Sequence, residues 1–433
     1  MIELVFIPSP GIGHIRSTAE MAKLLVDNDD RVSIFIIVIP ARNVSSGDIS
    51  SACPRSGSRL RYCFLPTRDQ SSNDPDQTYI SYLESHKSTV RRTVCIIARV
   101  SQGRLAIVVE MFCTPMIDIA TELCIPAYTY FTSNATYLGL MLHVQHLHDE
   151  ENFDVTDLRD SDTELDVPAL TRRLPAMCLP SVMLSKEWFP NLLRRAKTLR
   201  GTKGILVNSL ADIEPQAFKF FSGEDQDTPP LYAVGPILRF KNDSDDEKGS
   251  EILRWLDEQP PRSVLFLCFG SMGGFTEEQT REIAVALERT GHRFLWSLRL
   301  VSPEEIMAGT IPGDCTNLEE VLPEGFLDRT AETGKIIGWA PQVAVLENPA
   351  MVEELGLAAE IRREYRRDSL LGEPEIVTAE EIERGINCVM EQDSQMRKKV
   401  EETRELLRAA LLDGGSSKAA MRMFVNDVVK NIP

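Results

Sequence analysis

The sequence predicts an α/β protein of two domains, each a parallel sheet wrapped by helices. Three observations predict it. The chain has 433 residues, too many for one ordinary core and suited to two of about 200 residues each. Its first half alternates short β-branched runs with amphipathic helical stretches, the pattern of βαβ units. A second alternation begins beyond "FKNDSDDEKGSE", a polar and acidic break after Gly235-Pro236 that reads as an interdomain linker.

In order, "ELVFIP" is the first predicted strand, followed by a helix whose buried face carries Ile15, Ala19, Ala22, Leu25 and Val26. "VSIFIIVI", "LAIVV" (Leu105 to Val109), "AYTYF" (Ala127 to Phe131) and "GILVNS" are further strands of this half. The second half opens with "SVLFLCF", the loop "GSMGGF" and a helix from Thr276, where Thr276 with Gln279 three residues on is expected to make a capping box. "RFLWSL" and "KIIG" are its other strands, and the tail from Thr378 is helical, again with capping-box spacing to Glu381.

Composition excludes several classes. Lys and Arg total 47 against 65 Asp and Glu, a net charge of −18, which repels nucleic acid and anionic membranes. The N-terminus has no basic region, and its apolar run from Leu4 to Ile7 breaks at Pro8, so no signal peptide is expected. The longest apolar run, "VSIFIIVIPA", is too short to span a bilayer. Nine cysteines are scattered without C-x-x-C or zinc spacing, as expected for reduced thiols in the cytoplasm and for a protein with no metal site.

The opening loop, "FIPSPGIGHIRSTAE", begins like a dinucleotide-binding turn. Such a turn needs G-x-G-x-x-G, because the third glycine permits close helix–strand packing. Arg16 occupies that place, and no acidic residue follows the second strand, where "IVIPAR" stands. The nicotinamide reading therefore fails. His14 instead falls where the first strand turns into the first helix, at the carboxyl edge where open α/β sheets bind ligands. Glu110 ends the "LAIVV" strand and Thr132-Ser133-Asn134 ends the next, so all face the same edge. A histidine backed by a carboxylate is a general base with its orienting partner; a solvated loop histidine beside an unrelated acid is the alternative. His143, His146 and His148 share a helix without H-E-x-x-H spacing and read as solvated. The amides of "GSMGGF" suit either a phosphate cradle or a tight turn.

Several stretches together, "FIPSPGIGH", "MFCTPMIDIATELCIPAYTYFTSN", "KGILVNSLADIEP", "YAVGPIL", "WLDEQPPRSVLFLCFGSMGGF" and "GWAPQVAVL", closely resemble the plant UDP-dependent glycosyltransferases, in order along nearly the whole chain. The resemblance implies two facing Rossmann-like domains, the glycosyltransferase type-B fold. Residues 1–237 would form an acceptor-binding domain, 238–250 an acidic linker, 251–415 a nucleotide-sugar-binding domain, and 416–433 a helix returning to the first domain. It implies inverting transfer of a sugar, glucose foremost, from a UDP-sugar co-substrate to a hydroxyl of a small apolar plant metabolite such as a flavonoid, phenolic or terpenoid. No other cofactor and no metal are implied, and a monomer is expected. By position, His14 matches the general base and Glu110 the acid that orients it, an aspartate in the family. Thr132 matches a contact to the donor sugar, Ser271 a phosphate contact, Trp339 the tryptophan that stacks on uracil, Ala340 a backbone contact to the base, and Gln342 a ribose contact.

Two departures from the family pattern stand out. Glutamate at 110 is one methylene longer, an offset of about 1 Å that can cost on the order of a hundredfold in rate. After "WAPQVAVLENPA" the family continues with a strand, a helix start bearing histidine, cysteine, glycine, tryptophan, asparagine and serine, and later an acid–glutamine pair. Here Ala350 is followed directly by "MVEELGLAAEI", so the C-terminal sheet should lack strands, and amides that hold a pyrophosphate should be missing. That gap opens a second reading, a chain that binds acceptor-type small molecules or a partner without transferring sugar.

Overall fold

The computed structural model describes residues 1–41, 46–51, 53, 57–66, 78–223, 228–237, 247–270, 274–300, 315, 317–347, 361, 375–391 and 395–432. The chain divides into two compact units. The first comprises Met1–Ala176, Val182–Leu238 and Leu406–Pro433; the second comprises Met177–Ser181 and Arg239–Glu405.

The first unit is a seven-stranded sheet of β1 (Ile2–Ile7), β2 (Val32–Val38), β3 (Leu60–Phe64), β4 (Leu105–Glu110), β5 (Ala127–Phe131), β6 (Ile205–Val207) and β7 (Leu231–Ala233). The order is β3-β2-β1-β4-β5-β6-β7, and every adjacent pair is parallel. Parallel sheets are covered on both faces, and the period-two alternation of side chains assigns each residue to a side. Leu4 and Phe6 pack with Ile15, Ala19, Ala22 and Leu25 of α1 (Ile12–Asn28). Val5 and Ile7 pack on the other face with Leu83, Val90, Val94 and Ile97 of α2 (Tyr79–Val100). Two further helices, α3 (Ala135–Glu151) and α4 (Phe189–Arg200), pack against each other beyond β5.

The last helix, Ser416–Asn431, belongs to this unit. Its Met421, Phe424, Val425 and Val428 are buried in the same core as α1. Phe424 meets Tyr128 and Tyr232 edge to face, with centroids 5.2 Å and 5.6 Å away. Ser417 donates to the Gly235 carbonyl, and the Tyr232 hydroxyl donates to Asp427.

The second unit holds β8 (Val264–Leu267), β9 (Arg293–Ser297) and β10 (Gly334–Ile337), parallel and in that order. Its helices include α5 (Glu247–Asp257), α6 (Glu277–Thr290) and α7 (Ala379–Met390). Phe294, Trp296 and Leu298 are buried with Ile283, Leu287, Phe326, Ile382 and Ile386. On the opposite face, Ile252 and Leu256 of α5 pack with Val264, Leu295 and Val345. Among the described residues β8 pairs only with β9, whereas β1 lies between β2 and β4. A cavity of about 400 Å³, lined by Leu265, Phe266, Phe275, Ile283, Ile382 and Ile386, opens beside β8.

Three expectations need correction. Strands β3 and β7 were not foreseen: both stand at the edges of the sheet, and β3 has only Leu60 buried. The expected linker overruns a helix, since residues 247–250 are the first turn of α5, while 238–246 lie outside the described residues. Finally, α6 has half a capping box. The Thr276 hydroxyl accepts from Gln279 N at 3.4 Å, but the Gln279 amide bonds both backbone groups of Val377, at 2.8 and 2.9 Å. That pair ties α6 to the entry of α7, a stronger use of a buried amide than a cap exposed to water. At α7 the box of Thr378 and Glu381 is complete.

No helix among the described residues is long and apolar enough to cross a membrane.

Candidate functional site

In the first sheet the strand order reverses between β1 and β4, the topological switch point where open α/β sheets take ligands at their carboxyl edge. The register aligns Ile7 with Val109, so the turn after β1 and the last residue of β4 meet there. Glu110 is that last residue, and His14 lies in the first turn of α1.

The turn is pinned from below. Gly11 N donates to Ser9 O at 2.8 Å, the Cys113 thiol to Pro8 O at 3.4 Å, and the Ser9 hydroxyl to Glu110 Oε2. Gly11 then opens α1 in an extended conformation. A Cβ there would stand 3.3 Å from His14 Cδ2, so glycine lets the chain pass close to the imidazole.

Four donors converge on the Glu110 carboxylate. His14 Nδ1 lies 3.1 Å from Oε1, and the Thr132 hydroxyl donates to the same oxygen at 2.7 Å. Ser9 and the Phe112 amide, at 3.1 Å, donate to Oε2. The carboxylate is wholly buried, whereas the His14 side chain is 37% exposed. The longer glutamate therefore reaches the imidazole: its second oxygen turns back to the amide two residues on, and the expected offset does not break the contact.

Electrostatics follow from this geometry. Burial pushes the Glu110 pKa up, but the hydrogen bonds and charge of His14, Ser9 and Thr132 outweigh it and hold it below the ordinary value. Burial likewise pushes the His14 pKa down, and the hydrogen bond and charge of Glu110 raise it overall. With Nδ1–H given to the carboxylate, the Nε2 lone pair is the basic position. Nε2 makes no hydrogen bond among the described residues. An imidazole so arranged can accept a proton from a hydroxyl and hold the resulting charge against a buried anion.

Phe112 and Ser9 were missed by sequence reasoning. Phe112 meets the His14 ring edge to face at 5.3 Å. Nothing in "PSPG" marks Ser9 as more than a turn residue, and only the β1–β4 pairing brings it under Glu110. Asn134 caps α3, its Oδ1 accepting from Tyr137 N at 2.7 Å.

The other expected positions lie in the second unit. Trp339 follows β10 at the carboxyl edge of its sheet, 58% exposed, with the Arg299 guanidinium 5.7 Å from its ring centroid. Ala340 is buried, and Gln342 is the exposed first residue of a short helix, Gln342–Glu347. Ser271, in the "GSMGGF" loop, lies outside the described residues. Of the helix histidines, His148 contacts Asp149 at 2.9 Å and His146 lies 4.0 Å from Glu151. No group of three His, Cys, Asp or Glu able to hold a metal occurs among the described residues.

Known proteins resemble this chain over its whole length. Residues 237–353 match the family described as UDP-glucoronosyl and UDP-glucosyl transferase. The UDP-glycosyltransferase 71B1 of Arabidopsis thaliana is 55% identical over 477 residues, covering 100% of each chain. That alignment is 44 positions longer than this chain, and the family match ends just beyond the Ala350–Met351 junction. A putative UDP-glucose flavonoid 3-O-glucosyltransferase of Fragaria ananassa is 42% identical, covering 98% of this chain and 99% of the relative. Among solved structures, a transferase from Siraitia grosvenorii in complex with UDP superposes with TM-score 0.87 at 36% identity, covering 99% and 100% of the two chains. Medicago truncatula UGT71G1 complexed with UDP-glucose gives 0.83 at 32%, covering 99% and 98%. With such identity over its full length, and two Rossmann-like α/β units beneath it, the chain belongs to the plant UDP-dependent glycosyltransferases.

Proposed function

We propose that the protein moves glucose from UDP-glucose to a hydroxyl of a small, mostly apolar acceptor, with inversion. The observation that carries the reading is the His14–Glu110 pair at the switch point of the first sheet. His14 Nε2 takes the acceptor's hydroxyl proton as the oxygen attacks the anomeric carbon. The new bond is oxygen to anomeric carbon; the bond broken joins that carbon to the β-phosphate oxygen, and UDP departs with the electron pair. Glu110 holds the imidazole in its Nδ1–H tautomer and stabilises the imidazolium. Thr132 already gives its proton to Glu110 and keeps lone pairs for a sugar hydroxyl. Ser271 takes a phosphate contact, Trp339 stacks on uracil, Ala340 contacts the base through its backbone, and Gln342 contacts the ribose. The relatives named for UDP-glucose and for flavonoid glucosylation support donor and acceptor class.

The test incubates the full chain with UDP-glucose and a flavonol, reading UDP release and the anomeric configuration of the product. A β-glucoside formed by the wild type and lost in His14→Ala is expected; transfer that persists in His14→Ala overturns the base assignment. The positions present in the relative and absent here favour a second reading, acceptor binding without transfer. It predicts a rise in melting temperature with the flavonol and none with UDP or UDP-glucose, since only a ligand of the native state stabilises it.

A further inference from the structure

Arg195 lies on α4, whose Phe189, Leu192, Ala196 and Leu199 are buried. Its side chain is half-buried and turned to the His14 site. The guanidinium carbon stands 4.6 Å from the centroid of the Phe112 ring, and that ring meets the His14 imidazole at 5.3 Å. The two contacts share one ring, which caps the distance from guanidinium to imidazole at 9.9 Å. Tyr137, Tyr79 and Glu110 are its electrostatic neighbours.

What Arg195 lacks is an anion. Among the described residues no carboxylate lies within ion-pairing distance of it, and it makes no hydrogen bond. Glu110, the nearby acid, is already engaged by four donors. The Phe112 ring gives the guanidinium a cation–π contact but no oxygen or nitrogen acceptor for its five N–H groups. Partly desolvating a charge without a partner is unfavourable, and such a group within reach of a catalytic base is completed by an anion that arrives with the ligand. Arginine's planar fork matches a carboxylate through two parallel hydrogen bonds.

We propose that Arg195 is a specificity-determining residue that selects acceptors carrying a carboxylate, holding it on the guanidinium while the acceptor's hydroxyl lies at His14 Nε2. The short span between the two groups suits one aromatic ring bearing both a hydroxyl and a carboxylate. This rests on the reading of His14 as the base, and the experiment keeps the two apart by measuring binding and turnover separately.

Calorimetric titration of the full chain compares 3-hydroxybenzoate with 3-hydroxybenzamide, a neutral molecule of nearly the same shape. The wild type should bind the acid about tenfold or more tightly than the amide, the scale of one charge-assisted contact pair. In Arg195→Met, which keeps the apolar stem, the ratio should fall to about one, and Arg195→Lys should restore part of it. Melting temperatures near that of the wild type show that both variants are folded. A ratio near one in the wild type, or a preserved ratio in Arg195→Met, overturns the proposal. Transfer from UDP-glucose to a neutral phenol is assayed alongside: its absence counts against the transferase reading, while the acid-to-amide ratio still decides the role of Arg195.

Discussion

Replacing Glu110 by glutamine removes one charge and almost no volume, so it isolates what the carboxylate does. Two oxygens accept four hydrogen bonds, from His14 and Thr132 on one side and Ser9 and the Phe112 amide on the other. A glutamine has one oxygen, so its NH₂ must face a donor on one of those sides whichever way it lies. A hydrogen bond to a charged partner contributes about 1.5–3 kcal/mol, and one pKa unit is about 1.36 kcal/mol. The His14 pKa, held above its ordinary 6.5 by the hydrogen bond and charge of Glu110, should therefore fall. The acid limb of the kcat/KM profile for glucose transfer reports that value. Because a base works when neutral, the wild-type rate should climb with pH through a midpoint above 6.5, and the variant's midpoint should move down. Its plateau should fall by about 10²–10⁴, as the imidazolium loses its counter-charge. A profile that keeps its midpoint, with a plateau within about threefold of the wild type, would show that the carboxylate neither tunes nor supports the base.

The remaining predictions are independent of one another. The His14–Glu110 ion pair contributes stability that is fully present below the ordinary histidine value of 6.5 and is lost as pH rises through the raised value in the fold. On the acid side it is lost as pH falls through the lowered Glu110 value, below 4.5. The gap in urea midpoint between wild type and Glu110→Gln should thus narrow as pH is raised well past 6.5, and a constant gap would contradict the pairing. Trp339→Ala should weaken UDP binding by roughly 1–3 kcal/mol, the usual loss for a base-stacking aromatic, measured by calorimetry. Phe424→Ala removes a wholly buried ring from the core of the first unit; it should cost about 3–5 kcal/mol in urea unfolding.

How far the sequence told this depended on where each group lay. The buried central strands were legible because their apolar runs have no other reading, and "AYTYF" forms β5 with the expected bounds. The edge strands β3 and β7 were not, because half-exposed edges dilute the apolar pattern that marks a strand. His14 and Glu110 were found because each ends or follows a strand, and parallel topology alone brings such residues to one sheet edge. Ser9 and Phe112 belong to the same site but are read only through the β1–β4 register. Arg195 sits in "NLLRRAKTLR", where a run of basic residues on a helix looks solvated; that it lies against Phe112 is a fact of packing between α4 and the turn after β4.

The first unit is assembled from both ends of the chain. Its core waits for Met421, Phe424, Val425 and Val428, which the ribosome delivers only after the whole second unit has been made. At roughly 5–20 residues per second, the stretch from the end of β7 to the last helix takes on the order of 10–40 s to synthesise. Throughout that interval the nascent first sheet carries an uncovered apolar face alongside Tyr128 and Tyr232. Completion of the first unit therefore waits until the second has been synthesised, and a fragment ending at residue 237 would reproduce that unfinished intermediate rather than a free-standing domain.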